Sequence, residues 1–288
     1  MIIKKTLSAK VPPGRLYNKT KFQGVNTSPV STGDQAPNTL DTDAVVIIPT
    51  YNEKENITLL IDAILALSIP LHILVVDDAS PDGTSSQVAK CQACYPRRVH
   101  LMTRTGSPGL GAAYIDGFKW ALQRDYSYIL TMDADFSHHP DDLLRLYTYA
   151  KEAPCDLVIG SRYVRGINVV NWPMRRILLS YVANQFARCI TGLPIMDTTA
   201  GFYCYSRKVL AAIHLDEIQS AGYGFQVEMK FLAWKYGFRL QEIPIVFTDR
   251  IRGHSKMSGT TIAEALGSVI RMKIRSLFHP FHSEVSAG

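Results

Sequence analysis

The chain is expected to fold as an α/β protein built on a mostly parallel central sheet with helices on both faces. From residue 44 onward, short apolar runs alternate with helical stretches, as in βα units whose strands are buried on both sides. Three of those runs also end in acidic or polar clusters. Val45-Val46-Ile47-Ile48 leads into Pro49-Thr50-Tyr51-Asn52-Glu53, Ile73-Leu74-Val75-Val76 into Asp77-Asp78, and Tyr128-Ile129-Leu130-Thr131-Met132 into Asp133-Ala134-Asp135. In a parallel sheet such strand ends converge on one edge, where ligands bind.

Residues 1–42 are rich in Pro, Gly, Ser, Thr and Asn without sustained periodicity and read as a flexible extension. The alternation then predicts a strand at Ala44–Pro49, a helix near Glu53–Leu67, a strand at His72–Asp77 and a helix near Thr84–Cys94. A strand near Val99–Thr103, a helix near Leu110–Arg124, a strand at Tyr128–Met132, a helix near Asp141–Lys151 and a strand at Asp156–Gly160 follow. The second half is less regular, with helices near Met174–Ile190 and Phe225–Tyr236 and a strand at Arg239–Phe247. The last helical stretch, Thr260–Phe278, places Ile262, Leu266, Val269, Ile270 and Lys273 near one face, with cations towards its C-terminal end.

A chain of 288 residues, 47% hydrophobic and 19% charged, holds one large core with appendages. Its net charge of +6 is uneven, because Arg162, Arg165, Arg175, Arg176, Arg188, Arg250, Arg252, Lys256, Arg271, Lys273 and Arg275 all lie in the second half. That asymmetry suggests an anionic partner, a phosphate or a membrane surface. No nucleic-acid-binding motif accompanies it, so nucleic acid is set aside. Five scattered cysteines make no disulfide framework, and Cys91-Gln92-Ala93-Cys94 lacks a second pair or nearby His for zinc. No run resembles a signal peptide, and none reaches the ~20 apolar residues of a membrane span.

Crowded carboxylates are tolerated when a divalent cation sits among them, and Asp-x-Asp on a loop gives a hard cation oxygen ligands while leaving room for phosphate oxygens. The pattern therefore reads as a metal-assisted nucleotide site. Asp77 and Asp82, in a segment full of turn formers, read as turn and cap residues. His138 and His139, followed by Pro140, read as the start of a helix rather than metal ligands. Gly109-x-Gly111 lacks the third glycine of a dinucleotide fingerprint.

Six ordered blocks carry a resemblance. They are Pro49-Thr50-Tyr51-Asn52-Glu53, Val76-Asp77-Asp78-Ala79-Ser80-Pro81-Asp82-Gly83-Thr84, Gly109-Leu110-Gly111-Ala112-Ala113-Tyr114, Met132-Asp133-Ala134-Asp135-Phe136-Ser137-His138-His139-Pro140, Gly160-Ser161-Arg162-Tyr163 and Asp249-Arg250-Ile251-Arg252-Gly253-His254-Ser255-Lys256. Together they resemble the inverting family 2 glycosyltransferases, in particular the dolichol-phosphate (polyprenol-phosphate) mannosyltransferases. The resemblance implies a GT-A type nucleotide-sugar-binding fold over residues 43–258, with 259–288 as an amphipathic helix and tail.

The implied substrates are GDP-mannose and dolichyl or polyprenyl phosphate, and the implied cofactor is Mg²⁺ or Mn²⁺. Pro49, Tyr51, Glu53, Val76 and Asp78 resemble the nucleoside contacts. Asp133, Ala134 and Asp135 resemble the diphosphate and metal segment, with Asp135 as direct ligand and Ser137 where some relatives carry Gln. Arg250 and Lys256 resemble cations that meet the diphosphate from a closing loop, while Arg162, Arg176 and Ser180 would hold the lipid phosphate. Asp197 either orients substrate contacts or caps a helix.

A phosphate monoester is already anionic at neutral pH, so the transfer needs no strong general base, and the burden falls on the leaving group. In-line attack would give a β-linked product. Rival readings are a polyprenyl-phosphate glucosyltransferase using UDP-glucose, a nucleotidyltransferase, and a catalytically silent partner subunit. Trp172-Pro173-Met174-Arg175-Arg176 opens an apolar helix suited to a lipid headgroup boundary. Relatives acting alone often carry C-terminal transmembrane helices. This chain instead resembles those relying on small membrane-anchoring subunits or peripheral contact at the cytosolic face of a membrane, in the endoplasmic reticulum or the bacterial inner membrane.

Overall fold

The computed structural model describes residues 41–106, 108–220, 222–250 and 259–278, with side chains in the last segment described from residue 266. Alternating strands and helices run from β1 (Ala44–Thr50) and α1 (Ile57–Leu65) through β2 (His72–Asp77), α2 (Thr84–Cys94), β3 (Val99–Thr103) and α3 (Leu110–Leu122). They continue with β4 (Tyr128–Thr131), α4 (Asp141–Glu152), β5 (Leu157–Ser161), β6 (Val169–Val170) and α5 (Met174–Thr191). The rest comprises β7 (Tyr203–Ser206), α6 (Arg207–Ala212), α7 (Gly222–Lys235), β8 (Leu240–Pro244), β9 (Phe247–Thr248) and α8 (Gly259–Phe278).

The main sheet has the order β3-β2-β1-β4-β7-β5-β8, and only β7 is antiparallel to its neighbours. Period-two alternation explains the two-sided burial. Val45, Ile47, Leu74 and Val76 face a core shared with α3 and α7, whereas Val46, Ile48, Ile73 and Val75 face one shared with α1 and α4.

Register then places the polar ends. Thr50 lies opposite Asp77 and Ile47 opposite Thr131, so β1, β2 and β4 finish on one edge. β5 is antiparallel to β7, and β7 to β4, so β5 and β8 also finish there while β7 begins there. The 197–201 loop that feeds β7 is thereby brought to the same edge. With β2 on one side of β1 and β4 on the other, chain direction switches at β1, where open α/β sheets form their ligand crevice.

Several elements depart from the sequence reading. The first helix starts at Ile57 because Glu53 O accepts from Asn56 N and Ile57 N in a tight turn. The stretch expected as one strand to Phe247 breaks at Pro244, and Phe247 and Thr248 pair instead with Val169 and Val170 in a separate two-stranded sheet. β7 and α6 were not anticipated. In α8 the buried stripe contains Val269 and Met272, which pack into the core beside α7, whereas Ile270 is exposed and does not share that face. Ile262 lies outside the described side chains.

Gly117 marks a close approach of α3 to the sheet. A Cβ there would stand 2.7 Å from Ile47 Cγ2. Gly→Ala in a helix interior ordinarily stabilises by about 1 kcal/mol, but overpacking costs about 1–3 kcal/mol and wins at this position. Gly117→Ala is expected to lower the urea midpoint. Gly267→Ala, whose nearest neighbour would be the flexible end of Arg271 at 3.5 Å, is expected to raise it. Equal shifts in both variants would refute the close approach.

Candidate active site

The acidic residues of the first half sort into structural and available ones. Asp77 is fully buried and accepts from Thr50 Oγ1 at 2.7 Å, Ser80 N at 2.9 Å, Ser80 Oγ at 2.6 Å and Ser85 Oγ at 2.5 Å, which ties the β1 and β2 ends together. Asp82 accepts from Thr84 N and Thr84 Oγ1 and from Lys54 N, the turn role expected of it, while the N-cap position of α2 is Gly83. Asp78 faces Arg104, which also donates to Asp116 at 2.7 Å, and it accepts from Gly109 N at 2.8 Å. Arg104 and Asp116 were not anticipated: Arg104 follows β3 on the same edge but no acidic run marks that strand end, and Asp116 lies on α3.

Pro49 is partly buried, Val76 buried and Tyr51 exposed beside that edge. Glu53 is anchored by its backbone N–H, which donates to Thr84 Oγ1 at 3.0 Å, and its carboxylate accepts from Asn56 Nδ2 at 2.9 Å. Asn52, Ala79 and Phe136 adopt left-handed φ values of 58°, 48° and 60° in the segments that follow β1, β2 and β4. Such non-glycine conformations cost roughly 1–3 kcal/mol each and cluster where backbone shape serves a site. Here they flank Glu53, Asp78 and Asp135.

Asp133 and Asp135 follow β4. Burial, then the charge of Asp135, pushes the Asp133 carboxyl up to about 7, with Arg250 acting in the opposite sense. Asp135 is buried; its Oδ1 accepts from Ser137 N at 3.0 Å and Ser137 Oγ at 2.5 Å, and Arg250 lies 3.1 Å from its Oδ2. Ser137 thus orients the carboxylate it was paired with, while its lone pairs stay open. Ala134, buried between the two acids, lets the loop pack against the core.

Among the described residues no group of three or more His, Cys, Asp or Glu side chains could hold a metal. The donor set nevertheless fits a hard cation that draws part of its coordination from a bound diphosphate, since two crowded carboxylates and the Ser137 hydroxyl are hard oxygen donors. His138 does not join it. The ring is buried, stacks on Phe202 with centroids 4.6 Å apart and is pushed down to about 4 by burial, so it is a neutral packing group.

The cationic side of the edge is built on a buried pair. Arg162 donates Nε and a terminal nitrogen to the two oxygens of Asp197 at 2.8 and 2.7 Å, its backbone N–H to Oδ2 at 2.9 Å, and the same terminal nitrogen to Thr199 Oγ1 at 2.8 Å. Burial alone would raise the Asp197 carboxyl, but Arg162 brings it below the usual carboxylate value. Arg176 donates to Asp249 at 2.8 Å and lies 4.1 Å from the Trp172 ring centroid. Asp249 precedes Arg250, so the residues assigned to acceptor and donor cations meet through one carboxylate. Ser180 Oγ accepts from Tyr163 at 2.8 Å.

A cavity of about 180 Å³ is lined by Asp133, Arg162, Arg176 and Ser180, together with Thr199 and Gln226. It brings one member of the acidic loop together with three residues expected at the lipid phosphate. Pro49, Tyr51, Glu53, Val76 and Asp78 lie outside its lining, at the neighbouring strand ends. Lys256 falls outside the described residues. Gln226, Glu228 and Lys230 are buried polar residues on a helix buried nearly all round. A polar group every second residue in such a helix requires partners, and that signal could have marked Gln226 in advance.

Comparison with known proteins fits this geometry. The model of the family described as "Glycosyl transferase family 2" matches residues 45–213. A polyprenol monophosphomannose synthase of Mycolicibacterium smegmatis is 49% identical, with 80% of this chain and 87% of the relative covered. An undecaprenyl-phosphate mannosyltransferase of Micrococcus luteus is 46% identical, with 79% of this chain and 92% of the relative covered. The solved glucosyl-3-phosphoglycerate synthase of Mycobacterium tuberculosis, in complex with Mn²⁺, UDP and phosphoglyceric acid, superposes with a TM-score of 0.61 at 16% identity, covering 80% of this chain and 78% of that one. That likeness supports the GT-A architecture alone. A family match running from the first strand through the antiparallel one, and relatives sharing nearly half of their aligned residues, mean that this chain belongs to glycosyl transferase family 2.

Proposed function

We propose that this glycosyltransferase moves mannose from GDP-mannose to dolichyl or polyprenyl phosphate with inversion, giving a β-linked lipid-phosphate mannose. The observation that carries the reading is one cavity shared by Asp133 and by Arg162, Arg176 and Ser180, in a chain nearly half identical to enzymes named for mannosyl transfer to polyprenyl phosphates. Residues 43–258 would form the catalytic domain, with 259–278 packed onto it.

In this reading Pro49, Tyr51, Glu53, Val76 and Asp78 hold the nucleoside, and Arg104 keeps the Asp78 carboxylate in place. Arg162 and Arg176 receive the lipid phosphate through charge-assisted hydrogen bonds, Arg162 with the terminal nitrogen that Asp197 and Thr199 leave open. Their carboxylate partners Asp197 and Asp249 hold both in position before the anion arrives. Arg250, paired with Asp135, would meet the diphosphate together with Lys256. Asp135, oriented by Ser137, with Asp133 beside it, would hold Mg²⁺ or Mn²⁺, which when bound supplies positive charge to the departing diphosphate. No side chain need remove a proton from the acceptor.

None of the described helices is long and apolar enough to cross a membrane. α5 exposes Met174, Leu178, Tyr181 and Val182, and the neighbouring α8 exposes Ile270, Ile274, Leu277 and Phe278. These residues, with the exposed Arg175, form the surface we assign to a cytosolic membrane face. Small anchoring subunits would add to this contact.

The direct test is incubation with each labelled nucleotide sugar and a short polyprenyl phosphate; preference for UDP-glucose would overturn the donor assignment. Asp135→Asn is expected to reduce turnover a hundredfold or more, equivalent to about 3 kcal/mol of transition-state stabilisation, with little change in melting temperature. Chelation should abolish activity, and full activity in chelator would refute the metal role. Arg176→Ala is expected to raise the Michaelis constant for polyprenyl phosphate about tenfold or more while GDP-mannose affinity changes little; equal loss of donor affinity would remove Arg176 from the acceptor site. Leu178→Glu combined with Leu277→Glu is expected to reduce co-sedimentation with anionic liposomes while turnover on a water-soluble acceptor persists. Unchanged sedimentation would exclude this surface.

A further inference from the structure

Gln226 is only 3% exposed yet lines the cavity that holds Asp133 and Arg162. Its amide is held from behind. The Tyr203 hydroxyl donates to Gln226 Oε1 at 2.6 Å, and Lys230 Nζ donates to that hydroxyl at 2.6 Å, to Ala200 O at 2.9 Å and to Gln226 O at 2.9 Å. The Tyr203 hydroxyl lies within reach of both the Ala200 carbonyl and Oε1, and with Oε1 on that side the amide nitrogen turns the other way. Gln226 Nε2 makes no hydrogen bond among the described residues. The residue is nearly all buried, so the amide nitrogen left open at the cavity wall is a fixed donor for whatever enters the cavity.

The neighbouring geometry says what kind of ligand. A Cβ on Gly201 would stand 3.4 Å from Gln226 Nε2 and 4.0 Å from Asp133 Oδ1, so the amide donor and the carboxylate acceptor flank one bare Cα. A hydroxyl both donates and accepts, and a gap between a donor and an acceptor suits it. A phosphate oxygen only accepts and would leave the Asp133 acceptor unmatched. We propose that Gln226 is a sugar-recognition residue, donating its amide N–H to a hydroxyl of the hexose to be transferred, beside Asp133 and over Gly201. Lys230 and Tyr203 are positioning residues that hold the amide end for end. This deepens the nucleotide-sugar reading given above and rests on it.

The test pairs substitutions with trimmed donors. Binding of GDP, GDP-mannose and the series of monodeoxy GDP-mannoses is measured calorimetrically for the wild type, Gln226→Leu and Gln226→Glu. GDP-mannose is expected to bind both variants roughly tenfold more weakly, equivalent to one lost hydrogen bond. GDP should bind all three proteins alike, and one monodeoxy donor should bind wild type and variants alike. Tyr203→Phe should show a smaller loss confined to the same hydroxyl. Equal losses for GDP and every sugar, wild-type discrimination in Gln226→Glu, or a change only in the Michaelis constant for polyprenyl phosphate would each overturn the proposal. If the wild type prefers UDP-glucose, the GDP-mannose reading fails by itself, and monodeoxy UDP-glucoses decide the Gln226 contact by the same criteria.

Discussion

The buried pair between Arg162 and Asp197 is the constraint on which the rest of the cavity depends. Arg162 follows β5 and Asp197 lies in the loop before β7, so their contacts join chain segments that meet only through the sheet. Glu242 on β8 accepts from the backbone N–H groups of Met196 and Asp197 at 2.7 and 2.9 Å, anchoring the same loop from the other side. Replacing a buried ion pair by apolar residues is often neutral, but removing one partner typically costs about 3–5 kcal/mol because the other charge is left uncompensated. The pair is therefore weak as a source of net stability and strong as a constraint on position.

From that anchor the cavity wall can be followed outward. Thr199 receives the Arg162 guanidinium and lies near Asn184, whose side-chain oxygen accepts from Thr198 Oγ1 at 2.8 Å. Ala200 and Gly201 carry the loop past Gln226 to β7, and Lys230 closes the layer behind them. Burial drives the Lys230 ammonium well below its usual pKa, with Asp197 opposing that shift. Polar groups here sit in successive layers behind a small cavity, each satisfied by the next. Such layering keeps the amide and guanidinium groups facing the cavity from turning away.

The acidic side is built differently. Its carboxylates stand on short turns after β1, β2 and β4, held by left-handed residues and by hydroxyls such as Ser80, Ser85 and Ser137. Asp77 spends all its hydrogen-bonding capacity on this scaffold, whereas Asp133 retains a carboxyl whose charge is disfavoured. Crowding acids at one end of a parallel sheet, opposite an arginine-bearing wall, yields a site polarised from one side to the other. That division suits the proposed reaction, in which a diphosphate leaves and a phosphate attacks.

The sequence by itself determined the βα order of the first half, the bounds of β2, α2 and β3, and the acidic edge. These follow from local periodicity and from strand ends that any parallel sheet gathers. It also separated Asp82, a turn residue, from Asp78, which faces a guanidinium. Only the tertiary structure decided the second half. β7 is four residues long and runs against its neighbours, and nothing local in Tyr203–Ser206 announces that direction. Asp197, left open between a cap and a site role, became an ion-pair partner because β5 and the reversed β7 lie side by side. Arg104 and Gln226 joined the site for the same reason: their partners lie 26 and 23 residues away in the chain. Local patterning can specify which residues are buried, but contacts across such separations exist only once the sheet order is set.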